Sequence, residues 1–392
     1  MTVLQRALDR TAEWTADPGF GVYVHIPFCR HRCHYCDFNT YSGQDALHGS
    51  YVDALVHHID DVARRDFPPA TSVFFGGGTP TMLAPASLGR IFEAVRAGIG
   101  LTREAEVTVE VNPETVDAHS FEKLLAAGFN RVSIGVQSLV PHVLAGLGRT
   151  HSPERALAAI ADARRAGIEN INADLIYGSP WESTADWSAS LEGIVAADVE
   201  HISAYALTVE EGTPLGTLVR TNRCPDVDPD VQAERHSVAE EVLGVAGFDR
   251  YEVSNWSRPG RACRHSMLYW CAGNYLGFGA GAHGHLDGRR SWSVRLPREF
   301  IARVDSGRPV EAGYEELSSD ERAGEALMLG LRLTSGIDAG AFERRFGAGA
   351  LAARGPALAS FHRRGLIEMD RGRIRVAPHA TLIANEVAAA LL

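Results

Sequence analysis

Cys29, Cys33 and Cys36 stand four and then three residues apart in CRHRCHYC, just after the apolar run Tyr23-Val24-His25-Ile26. Thiolates are soft ligands suited to zinc or iron–sulfur sites. A structural zinc site takes four protein ligands, and Cys36 is followed by Asp37 and Phe38, not by a fourth cysteine. A zinc knuckle would need His25, His31 or His34 to complete it. A cubane cluster makes a different demand: three thiolates hold three irons and leave the fourth open to an exchangeable ligand. A second uncommon run follows in the chain. Val73-Phe74-Phe75 leads into Gly76-Gly77-Gly78-Thr79-Pro80, and Glu110 sits at the end of the next apolar run.

The 392 residues are enough for two or three domains. Apolar residues make up 45% and charged residues 22%, an ordinary balance for a folded soluble chain. The formal net charge of -11 gives a nucleic-acid partner no electrostatic support. Six cysteines, three of them clustered, do not make a disulfide framework; reduced thiols held for a metal suit the cytoplasm. The first twenty residues carry Arg6, Asp9, Arg10, Glu13 and Asp17 with no apolar core, so no signal peptide is expected. No apolar run approaches the length of about eighteen residues needed to span a bilayer.

Behind these motifs, strand-like and helix-like stretches alternate. Strands are expected at Val22–Ile26, Thr71–Phe75, Val107–Val111, Arg131–Val136, Asn170–Tyr177 and His201–Leu207. Helices are expected over Tyr51–Arg64, Leu88–Val95, Phe121–Ala127, Pro153–Ala166, Ala185–Ala196 and Asp230–Val245. Six such units argue an α/β fold with a parallel sheet, doubly wound or a partial barrel, whose chemistry gathers at the carboxyl ends of the strands. Residues 254 to 296, rich in glycine, tryptophan and histidine, break the alternation. Helices from Ser318, a short hairpin around Asp370-Arg371-Gly372 and a last helix over His379–Leu392 suggest a winged-helix-like module. The expected divisions are a lead (1–20), the core (21–253), a linking region (254–310) and the C-terminal module (311–392).

C-x3-C-x2-C with an aromatic before its third cysteine, followed by GGGTP, resembles the radical S-adenosylmethionine (SAM) superfamily. That resemblance implies a (β/α)6 partial barrel and a 4Fe-4S cluster whose open iron binds SAM. It also implies reductive cleavage of SAM to methionine and a 5'-deoxyadenosyl radical. YVHIPFC, VEVNPE, GVQSL, GRTHS and DLIYGSP narrow the resemblance, over nearly the whole chain, to the oxygen-independent coproporphyrinogen III oxidase family and its heme-chaperone branch. In that pattern Tyr23 and Tyr35 flank the cluster and SAM, and Gly77, Gly78 and Thr79 pass beside the SAM amino acid moiety. Glu110, Gln137, Arg149, Asp174 and Thr208 complete the expected SAM contacts. A carboxylate suits ribose hydroxyls, and an arginine suits a carboxylate.

Arg264-His265-Ser266-Met267-Leu268-Tyr269-Trp270 resembles the branch's H-N-x-x-Y-W motif, with Ser266 where asparagine is usual. The resemblance implies heme contact by His265. His283, in the glycine-rich GFGAGAHGH, lines the family's site, and His285 is a further candidate ligand. Cys263 and Cys271 bracket the motif without making a C-x-x-C-H attachment signal. Phe38 stands where the oxidase carries a fourth cysteine, and the short lead before Tyr23 points the same way. The expectation is therefore a heme chaperone delivering heme to an acceptor protein, with respiratory enzymes as the family's recipients. Transient membrane contact and a monomeric or homodimeric state are compatible with it. The alternatives are the radical SAM oxidative decarboxylation of coproporphyrinogen III and, from another class, a DNA-binding regulator.

Overall fold

Six parallel strands form the centre of the molecule: β1 (Phe20–Ile26), β2 (Ala70–Gly77), β3 (Leu101–Val111), β4 (Arg131–Gln137), β5 (Ile171–Tyr177) and β6 (His201–Ala206). The computed structural model describes residues 12–392; the first part of the expected lead, residues 1–11, lies outside the described residues. The strands are two-faced. One face carries Val22, Val24, Val73, Phe75, Val107, Val109, Val132, Ile134, Ile171, Ala173 and Ile202, all buried. Strand register puts Glu110, Ser133, Asn172 and His201 side by side on the other face, and likewise Gly135, Asp174 and Ser203. Side chains alternate across a strand, so the apolar set lies under the crossover helices and the polar set lines the concave interior of a curved, open sheet.

The helices have local reasons to form. In Pro153–Arg165, the Ser152 hydroxyl accepts from the Arg155 amide and Pro153 occupies the first turn, while Ala156, Ala159, Ile160 and Ala163 form the buried stripe. Thr184–Ala196 begins with a reciprocal cap between Ser183 and Asp186. Its Trp187 is fully buried, and the indole N–H donates to the Arg235 carbonyl at 2.9 Å.

The stretch expected to link two domains instead enlarges the sheet. Asp249–Glu252 and Asn255–Ser257 add antiparallel strands at the β6 edge. Asn274–Phe278 pairs parallel to β1 as a seventh parallel strand. His283–Leu286, Arg289–Ser293 and Glu311–Glu316 continue antiparallel to the far edge of a twelve-stranded sheet. Asn274–Phe278 lacks the long apolar run of a core strand: it is five residues long, Leu276 and Phe278 alone are buried, and Gly277 packs its backbone on His283. The C-terminal region has the expected hairpin, Ile367–Asp370 with Arg373–Val376, joined by Ile337–Asp338 in a three-stranded sheet. Its last helix is shorter than expected: Pro378–Ile383 winds as a tighter 3-10 turn before Ala384–Ala389.

Among the described residues no helix is long and apolar enough to cross a membrane. A methyl group on Gly277 would lie 2.0 Å from the His283 carbonyl oxygen, whereas one on Gly244, in the helix Pro229–Val245, meets nothing within 4 Å. Gly277→Ala should therefore destabilise the fold by on the order of 2–4 kcal/mol. Gly244→Ala should stabilise it by about 0.5–1 kcal/mol. Thermal unfolding of the two variants should move in opposite directions from the parent.

Candidate functional site

The cysteine loop leaves the carboxyl end of β1 and is held at three places. Phe28-Cys29 pairs in parallel with Tyr41-Ser42. The His34 amide donates to the Leu147 carbonyl at 3.1 Å and its ring Nδ1 to Gly146 at 3.0 Å. Arg32 Nε donates to the Cys36 carbonyl at 3.0 Å. All three thiols are free and half-buried. Burial raises the Cys29 thiol to about 11, and Cys36 is raised for the same reason, so both are protonated until a metal displaces the proton.

The glycine loop lies against this loop. The Gly78 amide donates to Ile26 and the Thr79 amide to Phe28, at 2.9 and 2.8 Å. The Thr79 hydroxyl points at Cys29 Sγ, 3.7 Å away. Gly77 has φ 110° and its missing methyl would collide with the His25 ring; at Gly78 it would collide with the Phe28 and Ile26 carbonyls. Only glycine allows that approach. The Gly77 amide donates to Glu110 Oε2 at 3.0 Å.

One cavity of about 550 Å³ is lined by Cys29, Cys33, Cys36, Tyr35, Gly77, Gly78, Thr79, Glu110, Gln137, Arg149, Asp174 and Thr208. These are the expected cluster and SAM residues apart from Tyr23, which lies beneath, its hydroxyl donating to His25 Nδ1 at 2.9 Å. Gln137 ends β4 at a bulge with φ 65°, a conformation costly for a non-glycine residue and concentrated at functional sites. Arg149 donates one nitrogen to the Gly135 carbonyl at 2.9 Å and points another at Cys33 Sγ, 3.5 Å away. Asp174 accepts from Ser133 and from Asn172, both at 2.8 Å. Phe38, 64% exposed, stands at the mouth.

Burial and the nearby Asp174 carboxylate raise Glu110 to about 8, although the Gly77 amide and Arg131 oppose the shift. Asp174 is raised by burial as well. Two buried carboxyls facing one cavity favour a ligand that brings positive charge and hydroxyl donors. The residues also fit a three-cysteine cluster better than a zinc knuckle. Of the three histidines that could complete a zinc knuckle, His25 spends both ring nitrogens, on Tyr23 and on the Asn39 carbonyl, whereas His34 gives only Nδ1 to Gly146 and His31 keeps Nε2 without a partner, so the placement of the thiols decides. Among the described residues no group of three His, Cys, Asp or Glu side chains cages a single metal ion. A cubane asks instead for thiolates at three separate corners with room beyond the fourth.

The motif reading missed a second tier below this cavity. His201 Nδ1 donates to Asn172 Oδ1 at 2.6 Å, and its Nε2 accepts from the Tyr251 hydroxyl at 2.8 Å. Glu106 accepts from the amides of Arg264 and His265, at 3.1 and 3.2 Å, and so fastens the helix Arg264–Trp270 under the sheet. The signal was present as polar residues at every second position: Glu106-Thr108-Glu110, Arg131-Ser133, Asn172-Asp174 and His201-Ser203.

The residues expected to meet heme lie elsewhere. His265 is 2% exposed, with Nδ1 bonded to Ser72 at 2.9 Å and Nε2 to Tyr269 at 2.7 Å. Neither nitrogen is open to an iron in this conformation. His283 is exposed at a strand start and stacks on Trp292. Neither histidine lines the thiol cavity. Cys263 and Cys271 are buried, and burial raises both thiols to about 11.

A seven-strand parallel core with three cysteines, a glycine loop and buried carboxyls at its carboxyl end is the architecture of a radical SAM protein. Residues 23–192 match the Radical SAM superfamily model, and residues 317–383 match the HemN C-terminal domain. The protein is 42% identical to the heme chaperone HemW of Mycobacterium tuberculosis, over 91% of this chain and 92% of that one. It is 32% identical to HemW of Bacillus subtilis, over 94% and 98%. It is 38% identical to HemW of Escherichia coli, over 75% and 79%. The coproporphyrinogen III oxidase HemN of Escherichia coli superposes with a TM-score of 0.84 over 99% of this chain and 92% of that one, at 21% identity, and shares the fold. The chain belongs to the HemW family within the radical SAM superfamily.

Two outcomes follow from the cavity. Replacing Cys29, Cys33 and Cys36 together by alanine should abolish the broad visible absorbance of anaerobically reconstituted protein, together with its bound iron and sulfide. In the metal-free protein, Glu110 binds its proton more tightly folded than unfolded. Its ionisation therefore costs stability as pH rises from about 4.5 towards about 8. Glu110→Gln removes that cost, so the variant's thermal midpoint should gain on the parent's between pH 5 and pH 8 and keep the difference above it.

Proposed function

We propose that this protein is a heme chaperone that binds heme, carries a SAM-ligated 4Fe-4S cluster on Cys29, Cys33 and Cys36, and passes heme to an acceptor protein. The observation that carries the reading is the identity of up to 42% with proteins named heme chaperone HemW, over more than nine-tenths of both chains. Phe38 at the cavity mouth supports it, since a phenyl ring there supplies no fourth thiolate.

When bound, the cluster and SAM supply one-electron chemistry at a sulfonium. The chain's own residues have separable tasks. The three thiols hold the cluster, and Thr79 and Arg149 direct hydrogen-bond donors at two of them. Gly77 and Gly78 leave backbone space for the amino acid moiety of SAM. Glu110 offers a carboxylate to its ammonium or ribose, Arg149 a guanidinium to its carboxylate, and Asp174, oriented by Ser133 and Asn172, an acceptor for ribose hydroxyls. Tyr35, Gln137 and Thr208 close the remaining walls. The acceptor is a protein with an empty heme site, with respiratory enzymes as the family's recipients. Contact with a membrane would come through that partner.

Anaerobically reconstituted protein should take up hemin, release it to an apo-hemoprotein, and form no protoporphyrinogen from coproporphyrinogen III with SAM and reductant. Porphyrin chromatography and heme-transfer spectra check both halves. A decarboxylated product without heme transfer would place the protein with the oxidases.

A further inference from the structure

A second cavity, of about 520 Å³, opens at the other end of β1 from the thiols. Its walls come from the Asp17-Pro18-Gly19 lead, Tyr269, the Gly273-Asn274-Tyr275 turn and strand start, His285, Arg290 and the C-terminal helices bearing Arg322 and Arg345. The seven residues of β1 separate it from the cysteine loop by roughly 20 Å.

Three features there suit one kind of ligand. The first is an imidazole with a set tautomer. His285 Nδ1 lies 3.0 Å from the Gly273 carbonyl, which can only accept, so Nδ1 carries the proton and Nε2 keeps its lone pair. Among the described residues Nε2 has no hydrogen-bond partner. A backbone carbonyl on one ring nitrogen is the usual arrangement behind a histidine that ligates a metal through the other. Burial and the Arg322 and Arg290 guanidiniums lower its pKa and favour that neutral form, against the pull of the Gly273 carbonyl and Glu325.

The second is an aromatic wall. The rings of Tyr269 and Tyr275 meet edge to face at 4.8 Å, and Tyr275 is 6.4 Å from the His285 ring. His265 supports this wall: one helical turn before Tyr269, it bonds the Tyr269 hydroxyl, and its other nitrogen is fixed by Ser72. The third is one guanidinium left over in a wall where Arg290, Arg322 and Arg345 stand among Asp17, Asp287 and Glu325. Arg290 is paired with Glu315 and Glu325, and Arg345 donates to the Cys271 and Ala272 carbonyls. The half-buried Arg322 has no ion pair or side-chain hydrogen bond among the described residues, and it is left to meet an anion from outside the chain.

We infer that this cavity is the seat of the transported heme, with His285 Nε2 as an axial ligand, the Tyr269 and Tyr275 rings against the porphyrin and Arg322 facing a propionate. A cavity of this size falls within the usual range for ligand sites of about 300–1,000 Å³. His265 is then a positioning residue for Tyr269. The assignment rests on the heme-chaperone reading and adds a place to it, remote from the SAM cavity.

The test titrates full-length, cluster-reconstituted protein with hemin and, separately, with metal-free protoporphyrin IX. The assignment expects His285→Ala to weaken hemin binding at least tenfold and change its Soret spectrum while leaving protoporphyrin binding nearly unaltered. Arg322→Ala should weaken both porphyrins. Free imidazole should restore the parental spectrum to His285→Gly, an outcome that a merely misfolded variant would not give. Parental hemin affinity and spectrum in both His285→Ala and Arg322→Ala would overturn the site while leaving the chaperone reading intact. No hemin binding by the parent protein would overturn both.

Discussion

The parallel register of β2 between β1 and β3 is the constraint on which the cysteine-bearing end depends. It sets the Ile26 and Phe28 carbonyls opposite the Gly78 and Thr79 amides, and the Gly77 amide opposite the Glu110 carboxylate. Two loops are thereby joined by backbone hydrogen bonds, and the glycine loop is tied to the third strand through the Glu110 side chain, so the thiols, the glycine corridor and a carboxylate keep their spacing without a ligand present. A one-residue slip of β2 would also turn its Val73 and Phe75 from the helices into the lumen. Packing on the convex face and site geometry on the concave face therefore enforce the same register.

The lumen itself is polar to an extent unusual for a core. Asp174, Asn172, Ser133, Ser203, His201 and Tyr251 satisfy one another in a continuous network. Buried polar groups are tolerable when each has a partner. Through the Tyr251 hydroxyl, which accepts from the Cys263 amide, this network ties the floor of the cysteine-lined cavity to the helix that bears His265 and Tyr269. The two cavities open at opposite ends of one strand, which keeps the proposed iron–sulfur centre and the inferred heme seat apart on the same sheet.

Much of the fold was legible in the sequence. The first six of the seven parallel strands and their six helices lie where periodicity places them, the third strand alone starting well before its expected bound, at Leu101, because each apolar face is packed by its own neighbour in the chain. The strands of 255–316 were not legible: Asn274–Phe278 pairs with β1 across more than two hundred residues, and its short pattern offers only Leu276 and Phe278 to the core, with Gly277 packed on the His283 backbone. The stretch expected as a linker is sheet for that reason.

At the site, the sequence by itself determined the chemistry available: three thiols without a fourth, a glycine run, and carboxyls at strand ends. These are properties of residue type and local spacing. Only the tertiary structure decided which histidine has a nitrogen to offer. His265 stands in the recognisable motif, but Ser72 and Tyr269 occupy both its nitrogens. His285 ends the glycine-rich GFGAGAHGH and was only a further candidate, yet a single carbonyl from Gly273 leaves its Nε2 lone pair open. A ring nitrogen's availability depends on partners brought by other strands and helices, and those partners are set by packing across the whole sheet.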